Sequence, residues 1–484
     1  MKYTPQRKAD EYQAKALAKM RGKKFFALLM AMRMRKSKVL VDDFGEMELA
    51  GKVQDLMIIA PGGVIKTWIE VMRLDLSEDL RDRILVHCWQ SGSGKGLARE
   101  RKYFLDARDA PRALLMNVEA LSRPGDARTF CNTFLSQRDN VVGIDESTII
   151  KNKSKRTDFI IKYVEPLADY RRILSGLPSP RDPLDLFFQF YFLDWKILGF
   201  RSWHAFRAHV AYMKQQFFGG RTVLLVDKTQ GEGGYRPEAI AELQKLIKPH
   251  SYRVEFRPKT PTTYSIREVE MTPQQSKAYA DMKEHATTML NNESHVTATV
   301  VIAQIMKLHQ ILCGHVKDEL GNEHLLPENK TKELMELLED YAGKAIIWCS
   351  YDIDVRKISD ALMKEYGEKS VARFWGGNVK TREAEAKAFK TKPECRFIIA
   401  TPEAGGKGQT WDMADLVIYY SSKDNLEHRD QSEQRPMGRD KTKGVDIVDL
   451  ITPNTVEGKI LEALRKKMNM SSLINGDQWR DWIV

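Results

Sequence analysis

The chain is expected to be α/β: two lobes built on parallel sheets, with helical insertions between them. Three observations predict this. Short apolar runs alternate with charged, helix-compatible stretches through the first part of the sequence. The same alternation resumes in the last third, after a long helical and aromatic interval. The length, 484 residues, exceeds what one ordinary core accommodates.

In the first lobe the strand candidates are "FFALLMAM", "LMIIAP", "RILVHCW", "ALLMNVEAL" and "NVVGIDE", with "RRILSGLPSP" following. In the second they are "KAIIWCS", "FIIATPEAGG", "LVIYYSS" and "GVDIVDLIT". Between them, residues 183–325 look mainly helical, as in "LDLFFQFYFLDWKILGF". The proline-bearing "RPKTPTTYSIREVEMTP" reads as the crossing between lobes. The expected boundaries are 1–258 for the first lobe, with an insertion at about 184–250, and 259–484 for the second, opening on a helical protrusion at about 270–325.

Composition narrows the classes. Hydrophobic residues make up 42% and charged residues 30%, as in globular proteins, and no apolar run approaches the roughly 20 residues of a membrane span. The polar start "MKYTPQRKADEYQ" lacks a secretion signal's apolar core. Five cysteines without a CxxC pair point to a reducing, cytoplasmic setting. A net charge of +11 favours a polyanionic partner and makes nucleic acid plausible.

Several stretches could carry chemistry. Lys36 and Ser37 follow an apolar run and a short loop, where a phosphate-binding loop keeps its lysine and its Mg²⁺-binding hydroxyl. Glycine normally precedes that lysine, but here the residue is Arg35. Asp145 and Glu146 close a buried strand at the sheet edge where open α/β sheets bind ligands, and such a pair can hold Mg²⁺ and polarise water. A rival loop, "WQSGSGKG", has no hydroxyl after Lys95 and reads as a surface turn. "SGLP" brings Ser175, Gly176 and Pro178 to the same edge, suited to coupling. "TPEAGGKGQT" places Gly405, Gly406 and Gly408 after a strand, allowing close approach to phosphate. "DQSEQRPMGRDK" offers Arg435 and Arg439 as candidate arginine fingers. Each of these last stretches is also what an ordinary turn or a solvated charged face looks like. His309, Cys313 and His315 fit an apolar helical stripe better than a zinc site, which lacks a fourth ligand.

Taken in order, these motifs resemble those of superfamily-two helicases, specifically the Swi/Snf-type DNA translocases, over nearly the whole chain. "EYQAKAL" is similar to the family's adenine-recognising segment, with Tyr12 and Gln13 as the pair. "IIAPGGVIKTW" and "LLMNVEALS" resemble motifs Ia and Ib, and "DESTIIKN" stands where the family has its Asp-Glu-Ser-His box. "VEMTPQQSKAY", "AGGKGQTWDMADLVIYY" and "ITPNTVEGKILEALRKK" are close to further family segments.

The resemblance implies two RecA-like P-loop NTPase lobes sandwiching ATP and Mg²⁺. Met34, Arg35, Lys36, Ser37, Lys38 and Gly408 would join Tyr12 and Gln13 at the nucleotide, with Ser37 and Asp145 on the metal and Glu146 as catalyst. Ser175, Gly176, Pro178 and Gln431 would couple the lobes. Pro61, Gly62, Lys66, Asn117, Ser350, Thr401, Gly405 and Gly406 would hold duplex or branched DNA. A stripped-down viral or bacterial kind, acting as a monomer, is expected from the absence of accessory domains.

Three departures stand out: Arg35 for the loop glycine, Thr148 for the box histidine, and Gly438 for the second family arginine, with Arg439 one residue late. They leave open an alternative, a nucleic-acid-binding module impaired in hydrolysis. They also suggest a swap, in which Arg35 supplies the charge of the missing finger. Against the swap stands a simpler reading, with Arg35 in solvent and Arg439 bending back.

Overall fold

The computed structural model describes residues 3–465 except 180–181, 219–220, 228, 232, 256–260, 293–297, 318–321, 406–408, 424, 439–440 and 463. The chain divides into two compact units near residue 256, except that Phe217–Val223 is grouped with the second.

The first unit holds β1 (Phe25–Met30), β2 (Asp55–Ala60), β3 (Leu85–Cys88), β4 (Arg112–Asn117), β5 (Asn140–Asp145) and β6 (Tyr170–Leu174). A hairpin of β7 (Met213–Phe218) and β8 (Arg221–Val226) follows, then β9 (Ser251–Val254). The main sheet runs β3-β4-β2-β5-β6-β1-β9, with every pair parallel. Its central strands are continuously apolar because helices cover both faces. Side chains alternate between two cores: Ala27, Leu29, Met57 and Ile59 enter one, while Phe26, Leu28, Met30, Leu56 and Ile58 enter the other. In-register pairing brings the ends of β2, β4, β5 and β6 to one carboxyl edge: Ala60 lies beside Asn117, and Asp145 beside Leu174.

The second unit opens with β10 (Thr262–Glu268) and the helices Pro273–Asn292 and Ala298–Leu312. A small hairpin, β11 (His315–Lys317) with β12 (Glu323–Leu325), comes next. Then come β13 (Ala345–Trp348), β14 (Val371–Phe374), β15 (Phe397–Ala400), β16 (Leu416–Tyr419) and β17 (Val445–Ile451). Its sheet, β10-β17-β16-β13-β15-β14, is again wholly parallel.

Two parallel sheets with helical insertions agree with the fold expected from sequence. The details differ at the joins. Part of the segment read as a crossing is β10, paired to β17 over seven residues. The short strands β9 and β14 were not foreseen, and each insertion read as helical also carries a hairpin. Among the described residues, no helix is long and apolar enough to cross a membrane.

Candidate nucleotide site and nucleic-acid edges

The site grows from the turn between β1 and the helix α2 (Lys36–Leu49). Arg33 has φ +71° and Arg35 has φ +49°, ψ +47°, both in the left-handed region. Left-handed residues let a chain turn backbone N–H groups into an anion-binding concavity, but for a residue with a Cβ the conformation costs roughly 1–2 kcal/mol. Both arginines hold a backbone suited to glycine. Arg33 was not singled out at all, although "RMRK" places it at the loop's other turning point.

Gly143 explains how α2 meets the acidic strand. A Cβ on this residue of β5 would lie 2.5 Å from Leu40 Cδ2, so the glycine lets α2 pack directly on β5. That brings Lys36 Nζ to 3.0 Å from Glu146 Oε1, with both side chains largely buried. Glu146 is itself left-handed, at φ +48°. Among the described residues only four non-glycines have positive φ, and three of them (Arg33, Arg35 and Glu146) belong to this site. Such concentrated strain marks functional geometry.

Asp145 is buried, and its carboxyl is pushed up to about 6, chiefly by burial, with Lys36 pulling the other way. Its Oδ2 accepts from Trp68 Nε1 at 2.9 Å, and its Oδ1 accepts from the Glu146 N–H at 3.0 Å. Trp68 lies on the helix α3 (Ile65–Asp75) and was missed: "IKTW" drew attention only to Lys66. A buried carboxylate with incompletely offset charge close to Lys36, which Ser37 follows in the chain, is chemistry that fits Mg²⁺ and a polyphosphate.

Gln13, on the helix α1 (Glu11–Met20), is fully buried. Its Oε1 accepts from the Asp10 N–H at 2.8 Å, while its Nε2 lies 3.4 Å from the Arg35 carbonyl. Tyr12 donates to Asp10 at 2.8 Å. Gln13 of the expected adenine pair thus sits against the turn, whose Met34 is half-buried. Lys38 does not face the turn. Its ammonium is buried 2.8 Å from Asp42 and 3.7 Å from Asp75, so the side chain is committed to these carboxylates.

Ser175, Gly176 and Pro178 close β6 beside the same turn. A Cβ at Gly176 would come within 3.3 Å of Ala31 Cα and the Met32 nitrogen, so a side chain there would push the turn's backbone back by a few tenths of an ångström. Ser175 Oγ accepts from the Leu177 N–H at 3.2 Å. At the neighbouring strand ends, Pro61 and Gly62 meet Asn117: a Cβ on Gly62 would lie 3.9 Å from Asn117 Cβ and 3.7 Å from the Glu119 carboxylate. Lys66 is exposed nearby on α3.

The second unit gathers Ser350 and Thr401 at the ends of β13 and β15. Ser350 Oγ donates to the Ser421 carbonyl at 3.1 Å, and a pocket there is lined by Ser350, Glu403, Ser422, Lys423 and His428. Gly405 is small for a different reason than expected, since its Cβ would strike the rings of Trp411 and Trp348 at 2.7 and 3.0 Å. Gly406, Gly408 and Arg439 lie outside the described residues. Arg435, expected as a finger, is buried, with its Nε donating to the Gln431 carbonyl at 3.1 Å and its Nη1 to the Gln409 carbonyl. Gln431 is buried as well, and its Oε1 has no hydrogen-bond partner among the described residues. Gly438 abuts Asp412, whose Cβ and Oδ2 would lie 2.9 Å from an added Cβ. An arginine at 438 would have to displace that side chain.

His309 and Cys313 do gain a third donor that sequence could not reveal, Glu457. The Lys330 ammonium lies against Glu457, and despite burial it helps hold that carboxyl down to about 2. The cluster is thereby a closed ion pair, and His315 stands apart, 3.5 Å from Asp354. The "WQSGSGKG" stretch is a loop exposed beyond Trp89, leading into the helix Lys95–Asp106.

Comparison with known proteins gives the family. The model of the SNF2-related domain matches residues 27–317, and that of the helicase conserved C-terminal domain matches residues 329–439. The chain is 33% identical over 99 residues to the chromatin-remodeling ATPase INO80 of Candida albicans, covering 20% of this chain and 7% of that protein. It is 23% identical over 352 residues to a probable chromatin-remodeling complex ATPase chain of Oryza sativa, covering 68% and 29%. A solved structure, the Sulfolobus solfataricus SWI2/SNF2 ATPase core in complex with dsDNA, aligns over 100% of this chain and 97% of that one, at 20% identity and a TM-score of 0.44. The chain spans under a third of the length of these curated relatives. Relatives among eukaryotic chromatin-remodelling ATPases overturn the expectation of a stripped-down viral or bacterial kind.

Proposed function

Because the chain belongs to the SNF2 family, whose domain model matches more than half of it, we propose that it is an ATP-driven motor that moves along duplex DNA. The observation that carries this reading is the convergence of Lys36, Asp145 and Glu146 on one strained turn at the sheet edge.

The residues divide the work. The backbone N–H groups of the turn and the start of α2 cradle phosphate oxygens, aided by the helix dipole. Lys36 exchanges its contact with Glu146 for a phosphate oxygen, which frees Glu146 to accept a proton from the attacking water. Mg²⁺ held by Ser37 and Asp145 would neutralise charge on the phosphates. Trp68 keeps Asp145 oriented and biased toward its anion, because its N–H bond favours the charged form. Gln13 touches both the turn and its own helix cap, so base recognition and phosphate geometry meet at Arg35. Pro61, Gly62, Lys66 and Asn117, with Ser350 and Thr401 in the second unit, supply contacts to the DNA backbone, which confer little sequence preference.

Phosphate release measured with duplex DNA, single-stranded DNA and RNA tests this. Hydrolysis should rise several-fold with duplex DNA and fall as salt increases, since phosphate contacts release counterions. Equal stimulation by RNA and DNA at every salt concentration would count against it.

A further inference from the structure

The helix Leu186–Leu198 begins "LFFQFYFL", and its one early polar residue, Gln189, is fully buried. All the hydrogen-bonding groups of the Gln189 amide are used. Nε2 donates to the Pro178 carbonyl at 2.6 Å and to the Asp185 carbonyl at 2.7 Å. Oε1 accepts from Ser147 Oγ at 2.6 Å. A buried amide among aromatic rings is costly unless every group is paired, so its presence there asks for a purpose. Its partners supply one. Ser147 directly follows the left-handed Glu146, and Pro178 ends the turn whose Gly176 abuts the backbone at Ala31 and Met32.

We propose that Gln189 is a positioning residue that ties the Glu146–Ser147 turn to the Ser175–Pro178 turn, fixing the carboxylate and transmitting movement of the phosphate turn to it. This rests on the proposed hydrolysis. The two turns end neighbouring parallel strands, β5 and β6, and the amide bridges them beyond the sheet's own hydrogen bonds. The αL geometry at Glu146 is strained and needs its surroundings to hold it; Asp145 Oδ1 holds its N–H from one side, and the Ser147 hydroxyl anchors the next residue to Gln189.

The test compares Gln189→Leu, Ser147→Ala and the double variant. Two readouts are used: steady-state ATP hydrolysis, and hydrogen exchange of the amides that close the turn, Ile149 and Lys151. These amides donate to the Glu146 and Thr148 carbonyls. Positioning predicts about a tenfold or greater fall in kcat with KM for ATP within about twofold. It also predicts roughly tenfold faster exchange at residues 149 and 151 with the strands unchanged, and a double variant no worse than the poorer single one. Wild-type kcat and wild-type exchange in folded Gln189→Leu would overturn the proposal, as would losses that simply add. If Gln189→Leu fails to fold, Ser147→Ala, which removes one hydroxyl, carries both readouts. If the wild type hydrolyses nothing yet exchange rises in the variants, the motor reading fails and the bridge stands.

Discussion

Replacing Arg35 with glycine should make the protein more stable and less active. At φ +49° the arginine bears roughly 1–2 kcal/mol of left-handed strain, which glycine would not. Glycine in turn loses more chain entropy on folding, by about 0.4–1 kcal/mol. The balance is a gain of about 0–1.6 kcal/mol, or an increase of up to about 6 °C in Tm for a unit of a couple of hundred residues. The same change removes an exposed guanidinium from the turn that would meet phosphate. If that cation assists hydrolysis, kcat should fall at least tenfold while Tm rises. Thermal melts and phosphate release on one preparation test both halves. A lower Tm would mean that side-chain contacts, and not function, hold Arg35 in place. Unchanged turnover would show that Arg35 simply faces solvent. Adding Gly438→Arg, which would bring the missing finger back if the swap held, is expected to restore little, because Asp412 fills that space.

Three further outcomes follow from the same geometry. Glu146→Gln should retain ATP binding, measured with a fluorescent nucleotide, and lose about 100-fold or more in turnover. Asp145→Asn should stabilise the protein by about 1–3 kcal/mol at pH 8. Because the folded carboxyl is raised to about 6, its contribution favours folding in acid and is lost as pH rises from about 4 through 6, so denaturant melts of the two proteins should converge below about pH 4. Gly176→Ala should slow hydrolysis with only about 1–2 kcal/mol of destabilisation, since its methyl presses on the backbone of Ala31 and Met32; a variant with full turnover would show that this approach is incidental.

The apolar runs made the strand ends legible, and with them the positions of Lys36, Asp145, Ser175 and Thr401. Strands buried on both faces announce themselves by composition, and a parallel sheet puts their ends together. Two edge strands did not show: β9 is "SYRV" and β10 is "TTYSIRE", both half polar, whereas the edge strand β3 was legible in "RILVHCW". Residues that act through tertiary contacts were also hidden. Trp68 and Gln189 look like ordinary core and helix residues until Asp145 and Ser147 are placed beside them. Lys38 is near the motif in sequence, but the helix turns its side chain toward Asp42 and Asp75, which spacing alone could not show. Arg435 was identified by spacing, which says nothing of whether a guanidinium is extended or bonded to its own lobe.

Displacement of a third strand from a DNA triplex tests the motor directly, because it requires movement along the duplex and not merely binding. The wild type should release the third strand only with ATP and Mg²⁺, at a rate that falls with added salt, and Glu146→Gln should release none. DNA-stimulated hydrolysis without any displacement would contradict translocation, and displacement that persists in Glu146→Gln would contradict the site from which it is argued.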